Sequence, residues 1–87
     1  MFYVYMIKNK VGKLYIGITE KLNKRLYTHN IGGGAKFTKD NNKFSIVFSE
    51  NYSTLAEARQ REVQIKKWRR DKKEFLIQRY TRGLPTK

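Results

Sequence analysis

Two apolar runs flanking an NKVG turn, FYVYMIK and KLYIGIT, constrain this chain more than any other stretch. Asn9 and Gly12 suit the first and last positions of a type I turn, with Gly12 supplying the positive φ of a bulged hairpin. Pairing Asn9 with Lys13 then sets Val4 opposite Ile18 and Tyr5 opposite Gly17. In that register Phe2, Val4, Met6, Leu14, Ile16 and Ile18 share one face. A slip of one residue would scatter this set over both faces, so the alternation fixes the pairing. The more polar face receives Tyr3, Tyr5, Ile7, Lys13, Tyr15, Gly17 and Thr19, with Tyr5 and Tyr15 near-diagonal neighbours. Tyrosine also serves sheets as a half-buried amphipathic residue, which is the plainer reading of both.

The remaining elements follow from period and punctuation. EKLNKRLYTHN has helical spacing at Leu22 and Leu26 and stops at the glycines 32–34. FSIVFSE, residues 44–50, reads as a third strand. Thr54 followed by Glu57 forms a capping box that opens a helix over 55–68. Asp71 and Glu74 suggest a second cap and a last helix through Tyr80, ended by Gly83 and Pro85. The expected order is β-β-α-β-α-α. Eighty-seven residues suit one domain, 1–87, with a basic helical region at its end.

Charge narrows the partners. Twenty Lys and Arg face seven Asp and Glu, a net charge of +13, and ten of the twenty lie between positions 59 and 82. Such a concentration repels itself and points to a polyanionic partner, of which nucleic acid is the most fitting. A membrane surface would need a basic helix with one broad apolar face, and this region is too polar for that. There is no cysteine, which removes disulfides and thiolate zinc sites. No run reaches membrane-spanning length, and the simplest expectation is a cytoplasmic protein.

Three side chains stand out as candidates for chemistry. On a helical wheel Glu62 lies roughly 20° from Leu55, 40° from Ala58 and 60° from Ile65, so it points with the apolar stripe. Its plain reading is a carboxylate paired locally with Lys66 at i+4; its other reading is a metal ligand or part of a basic active site, since an unpaired inward carboxylate costs several kcal/mol. Arg25 and His29, at i and i+4, flank the Leu22/Leu26 stripe as either a solvent-facing pair or the wall of a site. His29 is the only histidine, which excludes a His-rich metal centre. IGGGAK lacks the GxxxxGK[ST] spacing of a P-loop. Seven scattered acids cannot supply the carboxylate cluster of a two-metal nuclease, whereas one carboxylate at one metal fits the inventory.

YVY at residues 3–5, YIG at 15–17, Arg25 with His29, the GGGAKFT loop and REVQIKKW around Glu62 together resemble the GIY-YIG nuclease superfamily, in its small stand-alone bacterial-type branch. The resemblance implies an α/β fold of the α+β kind, a three-stranded antiparallel sheet flanked by helices, and metal-dependent cleavage of DNA phosphodiesters with one Mg²⁺ or Mn²⁺ ion. It carries the two motif tyrosines onto Tyr5 and Tyr15, the arginine and histidine onto Arg25 and His29, and the metal-binding glutamate onto Glu62. Two departures stand beside it: YVY replaces GIY, and no asparagine follows Asn51, with Gln64 and Gln78 as the available substitutes. Lys13, Lys36, Arg59, Arg61, Lys66, Lys67, Arg69 and Arg70 are the expected contacts to nucleic acid. The substrate implied is DNA with branched, flapped or single-stranded regions, in repair or recombination. The rival is a non-catalytic nucleic-acid-binding module on the same scaffold, which explains the charge and the aromatics equally well.

Overall fold

The hairpin forms in the expected register. β1 (Phe2–Lys8) and β2 (Leu14–Thr19) run antiparallel with Val4 opposite Ile18, Tyr5 opposite Gly17 and Ile7 opposite Tyr15. In the turn the Gly12 N–H donates to the Asn9 carbonyl at 3.0 Å, and Asn9 Oδ1 accepts from the Lys13 N–H at 2.8 Å. Gly12 has φ of 89°, a conformation that a side chain would strain. The computed structural model describes residues 1–32 and 43–87, and side chains at 1–27 and 43–87.

β3 (Ser45–Tyr52) pairs antiparallel with the free edge of β1, giving the sheet order β2-β1-β3. Val47 is an extra residue between the Ile7/Ile46 and Met6/Phe48 pairs, a bulge that bends the strand. The strand runs two residues past the expected end at Glu50. It can do so because Glu50 and Tyr52 take positions opposite Val4 and Phe2, where the Glu50 charge finds buried partners.

Three helices complete the order β-β-α-β-α-α: α1 (Leu22–Gly32), α2 (Leu55–Lys66) and α3 (Arg70–Thr81). Thr54 caps α2 by accepting the Glu57 N–H at 3.2 Å, while the Glu57 carboxylate accepts from the Thr54 hydroxyl at 3.1 Å. This closes the capping box through the hydroxyl and not through the Thr54 backbone. α2 stops before Trp68, where the Trp68 N–H turns back to the Ile65 carbonyl at 3.0 Å. The second cap differs from expectation. Arg69 stands at the N-cap without a side-chain cap bond, and Asp71 lies inside the first turn. Glu74 instead bridges elements, pairing with Lys8 at 3.0 Å and Arg70 at 2.8 Å. α3 ends in a Schellman motif: Gly83, at φ 72°, donates to the Tyr80 carbonyl, and Leu84 donates to that of Arg79.

α2 and α3 cover one face of the sheet. Val4, Met6 and Phe48 are fully buried there with Ala58, Ile65, Leu76 and Ile77, and Phe2, Leu14, Ile16 and Ile18 pack around them. Each large apolar side chain so buried contributes about 1.5–3 kcal/mol. The opposite face carries Tyr3, Tyr5, Ile7, Tyr15 and Gly17, and α1 lies against β1 on that side.

Candidate functional site

Tyr5 is only 5% exposed because its ring lies across Gly17, the residue opposite it on β2. A Cβ built at Gly17 would stand 2.7 Å from Tyr5 Oη and 2.9 Å from Cζ. The glycine of YIG is therefore required by the close approach of the tyrosine. α1 then delivers Arg25, whose Nε donates to Tyr5 Oη at 3.3 Å. Tyr15, the diagonal neighbour, is half-exposed on the edge strand, its ring edge-on to Phe44 with centroids 5.8 Å apart. An open groove of about 370 Å³ runs past Arg25 between Thr19 and Lys24. The arrangement puts the exposed Arg25 and half-exposed Tyr15 on one face of the sheet, with the buried Tyr5 hydroxyl bonded to the arginine, a set suited to an anionic, oxygen-rich ligand.

Glu62 stands on α2, in the layer packed on the other face, over β1 and β2. Its side chain is 14% exposed, and Lys66 Nζ lies 3.1 Å from Oε2. The carboxylate points inward as the wheel requires, and the lysine at i+4 offsets its charge, which is the plain reading of the pair. Among the described residues no group of three or more His, Asp or Glu side chains converges. A single hard carboxylate could hold a divalent ion only together with oxygens that the protein does not supply, and does not make an all-protein cage. His29 belongs to α1, but its side chain, like Lys36 and the rest of the GGGAKFT loop past Gly32, lies outside the described residues.

The basic residues divide by environment. Lys13, Arg59 and Lys67 are exposed, and Arg69 is nearly free in solvent with a loose 3.7 Å approach to Asp71. Lys66 is engaged by Glu62, and Arg70 by Glu74 and, at 2.7 Å, by the Gly12 carbonyl. Arg61 departs from the phosphate-facing role expected of it. Its Nε and Nη2 donate to the two Glu50 oxygens at 2.9 and 3.2 Å, Nη1 donates to Gln64, and the guanidinium lies over Trp68. Its Nε and both Nη2 donors are engaged within the fold.

Glu50 is the residue that sequence reasoning passed over. Its side chain is 4% exposed, and besides Arg61 it accepts hydroxyl bonds from Tyr52 at 2.8 Å and Thr86 at 2.6 Å. Burial pushes its carboxyl up, but the bonds from Arg61, Thr86 and Tyr52 outweigh it and leave the group below the ordinary carboxylate value. Burial and the bond to Glu50 push the Tyr52 phenol up to about 12. The available signal was the period-two series Phe48, Glu50, Tyr52, which continues the inward face of β3.

Comparison with known proteins places these features in a family. The GIY-YIG catalytic domain matches residues 1–75. A UPF0213 protein of Bacillus pumilus is 42% identical over 76 residues, 87% of this chain and 78% of the relative. The UPF0213 protein YazA of Bacillus subtilis is 43% identical over 76 residues, covering 87% and 77% of the two chains. The solution NMR structure of the UPF0213 protein BH0048 from Bacillus halodurans superposes with a TM-score of 0.57 at 34% identity, covering 90% of this chain and 84% of that one. Among the described residues no helix is long and apolar enough to cross a membrane. Tyr5 over Gly17, Arg25 on Tyr5 and the match over residues 1–75 agree: the chain belongs to the GIY-YIG catalytic-domain family.

Proposed function

We propose that residues 1–87 act as one divalent-metal-dependent endonuclease domain that hydrolyses DNA phosphodiesters, with a preference for branched, flapped or single-stranded regions suited to repair. The observation that carries this reading is the Arg25–Tyr5 hydrogen bond on the face shared with half-exposed Tyr15. On this reading the phosphate backbone runs along β2, an edge strand, with Arg25 on one face of the sheet and α2 on the other. Arg25 neutralises the scissile phosphate through its fork. Tyr5 or Tyr15 orients the attacking water or takes its proton, and His29 relays that proton or orients Tyr5. Glu62 would hold one Mg²⁺ or Mn²⁺, whose chemistry when bound is to stabilise charge on the leaving oxygen. Lys13, Lys36, Arg59, Lys66, Lys67, Arg69 and Arg70 supply sequence-independent attachment.

The Lys66–Glu62 pair favours a second reading, a non-catalytic nucleic-acid-binding module in which Glu62 is fully occupied by its lysine. Glu62→Gln separates the two in a nicking assay on flapped and single-stranded DNA, with Mg²⁺, Mn²⁺ or chelator. The nuclease reading expects cleavage to fall on the order of 10³-fold, the several kcal/mol a metal supplies, while DNA binding holds or tightens. Full metal-dependent activity in purified Glu62→Gln would remove Glu62 from the reaction. Wild-type protein that binds DNA and never cleaves it would establish the module.

A further inference from the structure

The Glu50 cluster joins three segments distant in sequence: β3, α2 and the chain after α3. α2 buries only two side chains, Ala58 and Ile65, while Leu55 and Val63 remain nearly half-exposed. Apolar contact is non-directional, so a seam this narrow permits the helix to roll or slide at little loss. The Arg61–Glu50 fork is directional, and Arg61 adjoins Glu62 in sequence. A roll of α2 that redirected Glu62 would also pull Arg61 off its carboxylate. Thr86 closes the arrangement from outside: its hydroxyl donates to Glu50 Oε2 at 2.6 Å, and its carbonyl accepts from Arg61 Nη2 at 2.8 Å. The segment is held by the Gly83 turn, by Arg79 Nε donating to the Pro85 carbonyl at 2.7 Å, and by Lys87 over the Tyr52 ring. A buried ion pair stabilises a fold little better than apolar residues of the same volume, and its attested use is to select one geometry.

We infer that Glu50 is a positioning residue for Glu62: its fork with Arg61 sets the rotation of α2 on the sheet, and residues 83–87 latch that setting through Thr86. The inference rests on the reading of Glu62 as the working carboxylate. The test uses the full chain with Thr86→Val, which is nearly isosteric, Thr86→Ser, and Glu50→Gln. Three quantities are measured: the Glu62 carboxyl ¹³C shift by NMR in metal-free protein, amide exchange across α2, and cleavage resolved into kcat and KM. Thr86→Val should displace the Glu62 shift and speed α2 exchange by about tenfold, as expected when a charge-assisted bond is lost. It should lower kcat several-fold and leave KM for DNA unchanged, and Thr86→Ser should restore all three. Glu50→Gln should act in the same direction and further. A wild-type Glu62 shift in Thr86→Val and Glu50→Gln, with only the melting temperature lowered, would assign the cluster to stability alone and overturn the inference. If Glu62→Gln keeps its activity, the metal-ligand reading falls separately, and the Glu62 shift still decides whether the latch exists.

Discussion

Glu50 and Glu62 are both inward carboxylates on a chain of net charge +13, yet their surroundings are opposites. Glu50 is closed off, its two oxygens accepting from Arg61, Tyr52 and Thr86. Glu62 has one flexible partner, the half-exposed Lys66. A carboxylate with every acceptor site engaged is part of the scaffold, since a ligand could bind it only by breaking bonds already made. A carboxylate held by a single solvent-facing ammonium can exchange that partner for another cation at small cost. The difference separates an acid locked into the scaffold from one still open to exchange its cation, without reference to which is more buried.

The largest effect on stability is expected where the closed carboxylate is opened. Arg61→Ala leaves Glu50 buried without its cation and should destabilise the fold by about 3–5 kcal/mol. For a domain of this size that lowers the melting temperature by about 4–8 °C per kcal/mol. Urea unfolding of the variant checks it, and a loss below about 1 kcal/mol would erase the contrast with Glu62, whose pair with Lys66 contributes only a few tenths.

A smaller loss is expected on the tyrosine face. Gly17→Ala puts a methyl into the space of the Tyr5 ring, which is packed and cannot swing away freely. Overpacking of this kind costs about 1–3 kcal/mol. The Arg25–Tyr5 bond should be lost with it, visible as altered Tyr5 ring resonances. Unchanged resonances and stability would mean that the ring does not lie over the glycine.

The smallest effect is a pH dependence. Glu50 is held below its ordinary value of 4.5 in the folded chain. It therefore contributes its full stabilisation above that value and loses it as pH falls through the lower, folded one. Glu50→Gln should flatten the acid limb of the stability curve below pH about 4.5 relative to wild type. An unchanged acid limb would show that Glu74, also lowered by its bonds from Lys8 and Arg70, governs that range.

What the sequence disclosed and what it hid divide along the same line. The hairpin register was legible because period-two alternation and an Asn–Gly turn are local signals. The inward direction of Glu62 and its lysine at i+4 were legible from helical period alone. Glu50 was not, because a carboxylate after IVFS resembles a strand end, and its partners Arg61 and Thr86 come from other elements. Arg61 sits in a run of basic residues, and nothing in that run distinguishes it from the solvated Arg59. Asp71 and Glu74 looked like caps, but Lys8, far off in sequence, draws Glu74 into a cross-element bridge. Local pattern reveals direction; long-range charge pairing decides partnership.

The placement of β1 at the centre of the sheet has a kinetic consequence. Its pairing with β2 spans one short turn and can form within microseconds, on the scale of an isolated hairpin. Its pairing with β3, whose inner pair is Lys8 and Ser45, must close a loop over residues 9–44, whose entropy is lost before any contact compensates for it. During synthesis β1 thus emerges well before its second neighbour, β3. Its hydrogen-bonding edge stays open until β3 has left the ribosome, which makes the nascent hairpin the point where misfolding competes with the native pairing.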